Sequence, residues 1–230
     1  MNLCTRLSIS LLGLLCFVIN CPASRAQSLP PRTDDQLWFE TQIVKPLGGH
    51  KDLVVTGQFR LGREFQFPVD EQIGVGLAFK LKAWLSATPT YAYTDQQPYA
   101  GRRISQHRLG FNLTGKFKLG EFTFTDRNVV ERRVVIANLD YTVYRNRLQL
   151  DHPARLGGFK FKPFISDEVR YSTQTVGKSQ VGWYRNRLAL GISKQLSSRL
   201  TTDFFYLRQN DGITRPGDIH VLGTTFRIFL

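Results

Sequence analysis

Cysteine is confined to the first 21 residues, as Cys4, Cys16 and Cys21. Beyond them the chain can hold no disulfide, free thiol or thiolate metal ligand. Long hydrophobic runs are equally scarce. The one clear apolar run, residues 7–19, is shorter than the roughly 20 residues a spanning helix needs. It follows Arg6 and precedes Ser24-Arg25-Ala26, a small-x-small cleavage site, so residues 1–26 read as a secretory signal peptide that contains all three cysteines. Cys21 is an alternative lipidation site, although Asn20 directly before it fits that reading poorly. Acids are outnumbered: 18 Asp and Glu stand against 31 Lys and Arg. Removing the signal takes away Arg6 and Arg25 and lowers the net charge from +13 to +11. A charge of this sign attracts anionic lipid head groups and small anionic solutes. Export argues against nucleic acid as a partner.

Helical periodicity is also lacking from residue 36 onward, and β-like alternation takes its place. After a flexible leader at 27–35, segments run over 36–45, 53–64, 73–82, 84–94, 103–113, 121–133, 139–150, 159–171, 182–196, 200–209 and 219–230. In 73–82, Ile73, Val75, Leu77, Phe79 and Leu81 alternate with Gly74, Gly76, Ala78, Lys80 and Lys82. Pro89 removes a ladder donor, and a bulge is expected there. Connections alternate between short ones and longer ones rich in Gly, Pro, Gln and Asp, as in bacterial barrels. Eleven segments can be counted, whereas an all-antiparallel ring needs an even number. Ten or twelve strands are therefore expected, either with 36–45 outside the ring or with a further strand near Phe65-Gln66-Phe67.

The most informative stretch occurs twice, as Tyr144-Arg145-Asn146-Arg147-Leu148 and Tyr184-Arg185-Asn186-Arg187-Leu188. In a strand each copy puts both arginines on one face and Tyr, Asn and Leu on the other. A soluble sandwich would bury the Leu face and wet the Arg face; an outer-membrane barrel does the reverse. Arg60, Arg108, Arg127, Glu131, Arg133, Arg145, Arg147, Glu168, Arg170, Arg185 and Arg187 all share the non-lipid face. The planar five-donor guanidinium suits crowded pairing in a narrow lumen, whereas Lys and Glu are expected on a sandwich exterior. Glu131 and Glu168 are the expected partners of Arg127, Arg145, Arg170 and Arg185. The last strand, with Leu222, Phe226, Ile228 and Leu230 two or four apart, resembles the C-terminal signal read by the barrel-assembly machinery, although Phe229 rather than the terminal residue carries the usual Phe. Trp38, Trp84 and Trp183 lie near strand ends, where aromatic girdles belong.

Several of these features also carry a family resemblance. Trp38, the Arg-x-x-x-Glu-x-Arg of Arg127, Glu131 and Arg133, and Tyr-Arg-x-Arg-Leu at 144–148 are joined by Pro163-Phe164 before Glu168 and by Asn186-Arg187 before Leu190-Gly191. Together they resemble the domain of unknown function 2490 family, an uncharacterised group of exported bacterial proteins. The resemblance implies an outer-membrane barrel and no established activity.

Catalytic, cofactor and metal sites are not expected. The histidines are His50, His107, His152 and His220. Ser105 shares a face with His107, but side chains two apart on a strand stand nearly 7 Å from each other, and no third group orients them. The expectation is an antiparallel up-and-down barrel over 36–230 in the bacterial outer membrane. It is either a small porin-like channel or binder with an Arg-lined, anion-favouring lumen, or a plugged structural barrel that binds envelope lipid or protein. A soluble periplasmic β protein is the third alternative.

Overall fold

The computed structural model describes residues 31–99, 102–136, 140–173, 181–211 and 214–230; the expected signal at 1–26 lies outside them. Every regular element described is a strand: β1 (Thr33–Gly48), β2 (Lys51–Gly62), β3 (Phe67–Lys82), β4 (Leu85–Tyr99), β5 (Arg102–Leu119), β6 (Phe122–Val135), β7 (Tyr141–Asp151), β8 (Ala154–Leu156), β9 (Phe159–Ser172), β10 (Gly182–Ser197), β11 (Leu200–Asn210) and β12 (Asp218–Phe229). Eleven of them close into one ring, and β8 pairs only with β9.

The even strand count expected from parity is overturned by the seam. Neighbours around the ring are antiparallel except β1 and β12, which pair in parallel from Thr33↔Asp218 to Val44↔Phe229. One parallel contact removes the parity requirement, because both seam strands start at the rim of the long connections and run the same way. β1 is thus inside the ring and takes in 33–35, the end of the expected leader. No extra strand forms near Phe65. Arg63, Glu64 and Phe65 form a turn with positive φ. Asp34 Oδ1 holds it by accepting the backbone N–H groups of Arg63 and Glu64 at 2.7 and 3.3 Å.

The expected bulge at Pro89 is absent. Pairing with β3 lapses opposite Pro89 and resumes in the same register, and Pro89 stays aligned with Phe111 of β5. The lost donor therefore interrupts one ladder without inserting a residue. A register shift occurs instead between Trp183 and Arg185. It breaks the symmetry of the repeated stretch: Tyr144 keeps the expected outer face, whereas Tyr184 turns in among Arg133, Arg170, Arg185 and Arg187.

Burial is inverted relative to a soluble sandwich. Ile73, Leu109, Phe111, Leu148, Leu188, Leu190, Phe204 and Leu222 are exposed, while Arg108, Glu131, Arg133, Glu168, Arg170 and Arg187 are buried. Such a surface is stable only against acyl chains, and the barrel is of the transmembrane kind. One inner sector is apolar: Trp38, Ala189, Leu207, Ile219 and Val221 pack together with Phe205 where β10, β11, β12 and β1 meet. Gly191 makes that packing fit. A Cβ there would lie 2.5 Å from the Phe204 carbonyl and 2.6 Å from the Phe164 ring.

Candidate functional site

The inner wall from β5 to β10 is cationic because period-2 alternation places one arginine after another on the same face. Register then sets like charges directly opposite each other: Arg108 faces Arg133, Arg127 faces Arg147, and Arg170 faces both Arg145 and Arg185. Opposed like charges destabilise a strand pair unless anions are shared among them. Two glutamates supply that sharing. Glu131 accepts from Arg133 Nε at 2.6 Å and from Arg145 Nη2 at 3.1 Å. Glu168 accepts from Arg170 at 2.7 and 2.8 Å, with Arg187 at 3.5 Å and Arg127 at 3.8 Å.

Arg185 departs from expectation. Its guanidinium reaches Asp211, beyond the end of β11, at 2.8 and 2.9 Å, instead of either glutamate. Arg147 donates to Gln149 at 2.9 Å and Arg108 to Gln72 at 3.0 Å, both neutral acceptors. Arg60 donates to Gln58 at 2.8 Å and lies 4.0 Å from Glu40. The strands β1 to β4 present Gln36, Glu40, Gln58, Asp70, Gln72 and Gln96: Gln58 and Gln96 donate to Asp70, Gln58 and Gln72 accept from Arg60 and Arg108, Gln36 donates to Asp34 and accepts from Trp38, and Glu40 stands 4.0 Å from Arg60. Arginine is thus concentrated on β5 to β10, while β1 to β4 contribute mainly amides and carboxylates, with Arg60 on β2 as the exception.

Trp38 corrects a further expectation. It is only 3% exposed, inside the lumen instead of in a girdle, while Trp84 and Trp183 remain exposed. Its indole N–H donates to Gln36 at 2.8 Å. Arg60 lies 3.6 Å and Arg187 4.7 Å from the ring, joining β2 to β10 through one aromatic plane. Desolvated contacts of this kind are worth about 2 kcal/mol each. Trp38 shares its period-2 face with Asp34, Gln36 and Glu40, a signal for the inner face that was available in the sequence, whereas Asp211 lies off the strands, where alternation carries no signal.

Ser105 and His107 face outward without meeting. Ser105 Oγ donates to Asp95 at 3.4 Å, and His107 Nδ1 shares a 2.8 Å hydrogen bond with the Tyr91 hydroxyl.

Asp211 makes the site's outer end sensitive to acid. Burial would raise its carboxyl, but Arg185 and the Thr214 backbone N–H outweigh that and hold it below the ordinary carboxylate range. A depressed folded-state pKa adds stability above the unfolded value of about 3.9, and this stability is lost as pH falls through the folded value. Thermal unfolding between pH 7 and pH 2 is expected to show Asp211→Asn melting below wild type at neutral pH, with the gap closing at the acid end. A gap constant with pH would mean that the carboxylate charge is not the stabilising feature.

No curated protein matches the sequence. Among solved structures, a NanC porin matches at 11% identity and TM-score 0.49, covering 80% of this chain and 92% of that one. LpxR from Salmonella typhimurium matches at 11% identity and TM-score 0.47, covering 77% and 83%. The beta domain of the Bordetella autotransporter Brka matches at 12% identity and TM-score 0.44, covering 78% and 82%. The family model described as protein of unknown function DUF2490 matches residues 35–217, and the chain belongs to that family.

Proposed function

We propose that this barrel sits in the bacterial outer membrane and that its lumen favours small anions, which it passes or holds. The observation that carries this reading is the run of opposed arginines along β5, β6, β7, β9 and β10, for which Glu131 and Glu168 are the principal carboxylates. Arginine rings lower the electrostatic cost of bringing an anion out of bulk water and raise it for a cation. The apolar residues of the C-terminal strand, two or four apart, are the segment offered to the barrel-assembly machinery, and outer-membrane lipid covers the exposed apolar face.

A second reading is favoured by burial inside the barrel. Glu131, Arg133, Glu168, Arg170 and Arg187 are all less than 10% exposed, and Trp38 is clamped between two guanidinium groups. Side chains packed this closely describe a plug that ties the strands together, leaving the loops and basic rims to bind envelope lipid or protein. Planar-bilayer recordings separate the two. The channel reading expects small, anion-selective conductance that loses its selectivity when Arg145, Arg147, Arg185 and Arg187 are replaced by glutamine. Silence in the bilayer, or cation preference in the wild type, removes the channel reading and leaves the plug.

A further inference from the structure

Buried guanidinium N–H groups are costly to leave without an acceptor. On the β5–β6 wall, toward the rim of the long connections, three buried polar atoms meet no partner among the described residues: Arg108 Nε, Arg133 Nη2 and Gln106 Oε1. Their residues are 8%, 6% and 1% exposed. Arg108 stands directly opposite Arg133, and Gln106 lies two residues before Arg108 on the same inner face, which sets neighbouring Cβ atoms about 5 to 7 Å apart.

At least one other polar atom of each residue is committed. Arg108 Nη1 donates to Gln72 at 3.0 Å, Arg133 Nη1 to the Tyr141 hydroxyl at 3.1 Å, and Gln106 Nε2 to Gln96 at 2.8 Å. Glu131 is shared between Arg133 and Arg145, so it cannot neutralise Arg108 as well. What remains is two cationic N–H donors, a surplus of positive charge and one carbonyl acceptor.

That set matches a small oxyanion that also carries a hydroxyl. We propose that Arg108, Arg133 and Gln106 form a binding site for such an anion, the arginines taking its charged oxygens and Gln106 accepting from its O–H. Hydrogen phosphate and an α-hydroxycarboxylate both have this chemistry; sulfate and acetate lack the hydroxyl. The site rests on the anion-favouring reading of the lumen but does not require conduction.

The test follows the thermal unfolding midpoint of the protein in detergent micelles at neutral pH, titrated at constant ionic strength with phosphate, lactate, sulfate, acetate or chloride. A ligand that binds only the folded state raises the midpoint saturably. Phosphate or lactate is expected to do so at millimolar concentration, sulfate or acetate more weakly, and chloride not at all; whichever of phosphate and lactate acts at the lower concentration identifies the source. Arg108→Gln, which keeps the Glu131 pairs, is expected to weaken the response at least about tenfold. Gln106→Leu, which keeps both arginines, is expected to level lactate with acetate. No saturable response beyond chloride, or an unchanged response in Arg108→Gln, overturns the site. Anion-selective conductance without these shifts would leave the anion-favouring lumen standing and remove only this site. Saturable shifts in a barrel that conducts nothing would remove only the channel.

Discussion

Glu168→Gln is expected to destabilise the barrel by about 3–5 kcal/mol, the cost of stripping one partner from a buried charge network. The substitution keeps the volume and one acceptor oxygen but removes the charge. Arg170 then loses an ion pair at 2.7 Å, Arg187 one at 3.5 Å and Arg127 one at 3.8 Å. Arg170 and Arg187 are nearly closed to water, so solvent cannot replace the lost carboxylate. Arg170 would also face Arg145 and Arg185 across its two strand pairs without its own carboxylate, since Glu131 and Asp211 serve those two arginines. Arg147→Gln is the internal control. Its guanidinium donates to Gln149 at 2.9 Å, and its loss relieves the opposition to Arg127, so the expected change is within about 1 kcal/mol. Equilibrium unfolding in urea checks both. A Glu168→Gln midpoint equal to that of wild type would mean that the arginines are satisfied without this carboxylate.

Which residues share a face was legible in the sequence because strand side chains alternate without exception outside bulges. Arg145 and Arg147, Arg185 and Arg187, and the outward Leu148 and Leu188 all follow that rule. Pairing direction was not legible. Alternation is identical in parallel and antiparallel strands, so the β1–β12 seam lies outside what periodicity can report, and the parity argument failed with it. The displacement of Tyr184 came from a one-residue shift that a repeated motif conceals, because identical letters suggest identical environments. Partner choice was legible only within strands. Arg145 and Arg170 found the expected glutamates, whereas Arg185 found Asp211, whose position depends on chain beyond β11. Trp38 follows the alternation of its own strand, inward with Asp34 and Gln36, and the girdle expectation failed because it weighed residue type over face.

The lipid-facing surface is not uniformly apolar, so the cost of an arginine there depends on its position. Phe111 is 52% exposed at the middle of β5, with Pro89 and Val130 directly across from it and no acid opposite. Phe111→Arg is expected to cost about 2–4 kcal/mol if acyl chains cover this face. In water the same change at an exposed site would fall within about 0.5 kcal/mol. Leu148 looks equivalent, at 56% exposure, but its cross-strand partners are Asp126 on one side and Asp167 on the other. Both carboxylates belong to an outward ladder built by the repeated stretch: Asn146 donates to Asp126 at 2.7 Å and Asn186 to Asp167 at 2.5 Å. Apolar residues flank this ladder along the strands, with Phe124 and Val130 on β6 and Leu188 and Leu190 on β10, so it lies inside the apolar band. An arginine at 148 would therefore find an anion on each side, and an ion pair inside a bilayer offsets most of the insertion cost. Leu148→Arg is expected to cost at least about 1 kcal/mol less than Phe111→Arg, and that advantage should disappear in the Asp126→Asn, Asp167→Asn background. Equal large losses at both positions would mean that Asp126 and Asp167 do not pair with the introduced guanidinium, and negligible losses at both would mean that this face meets water.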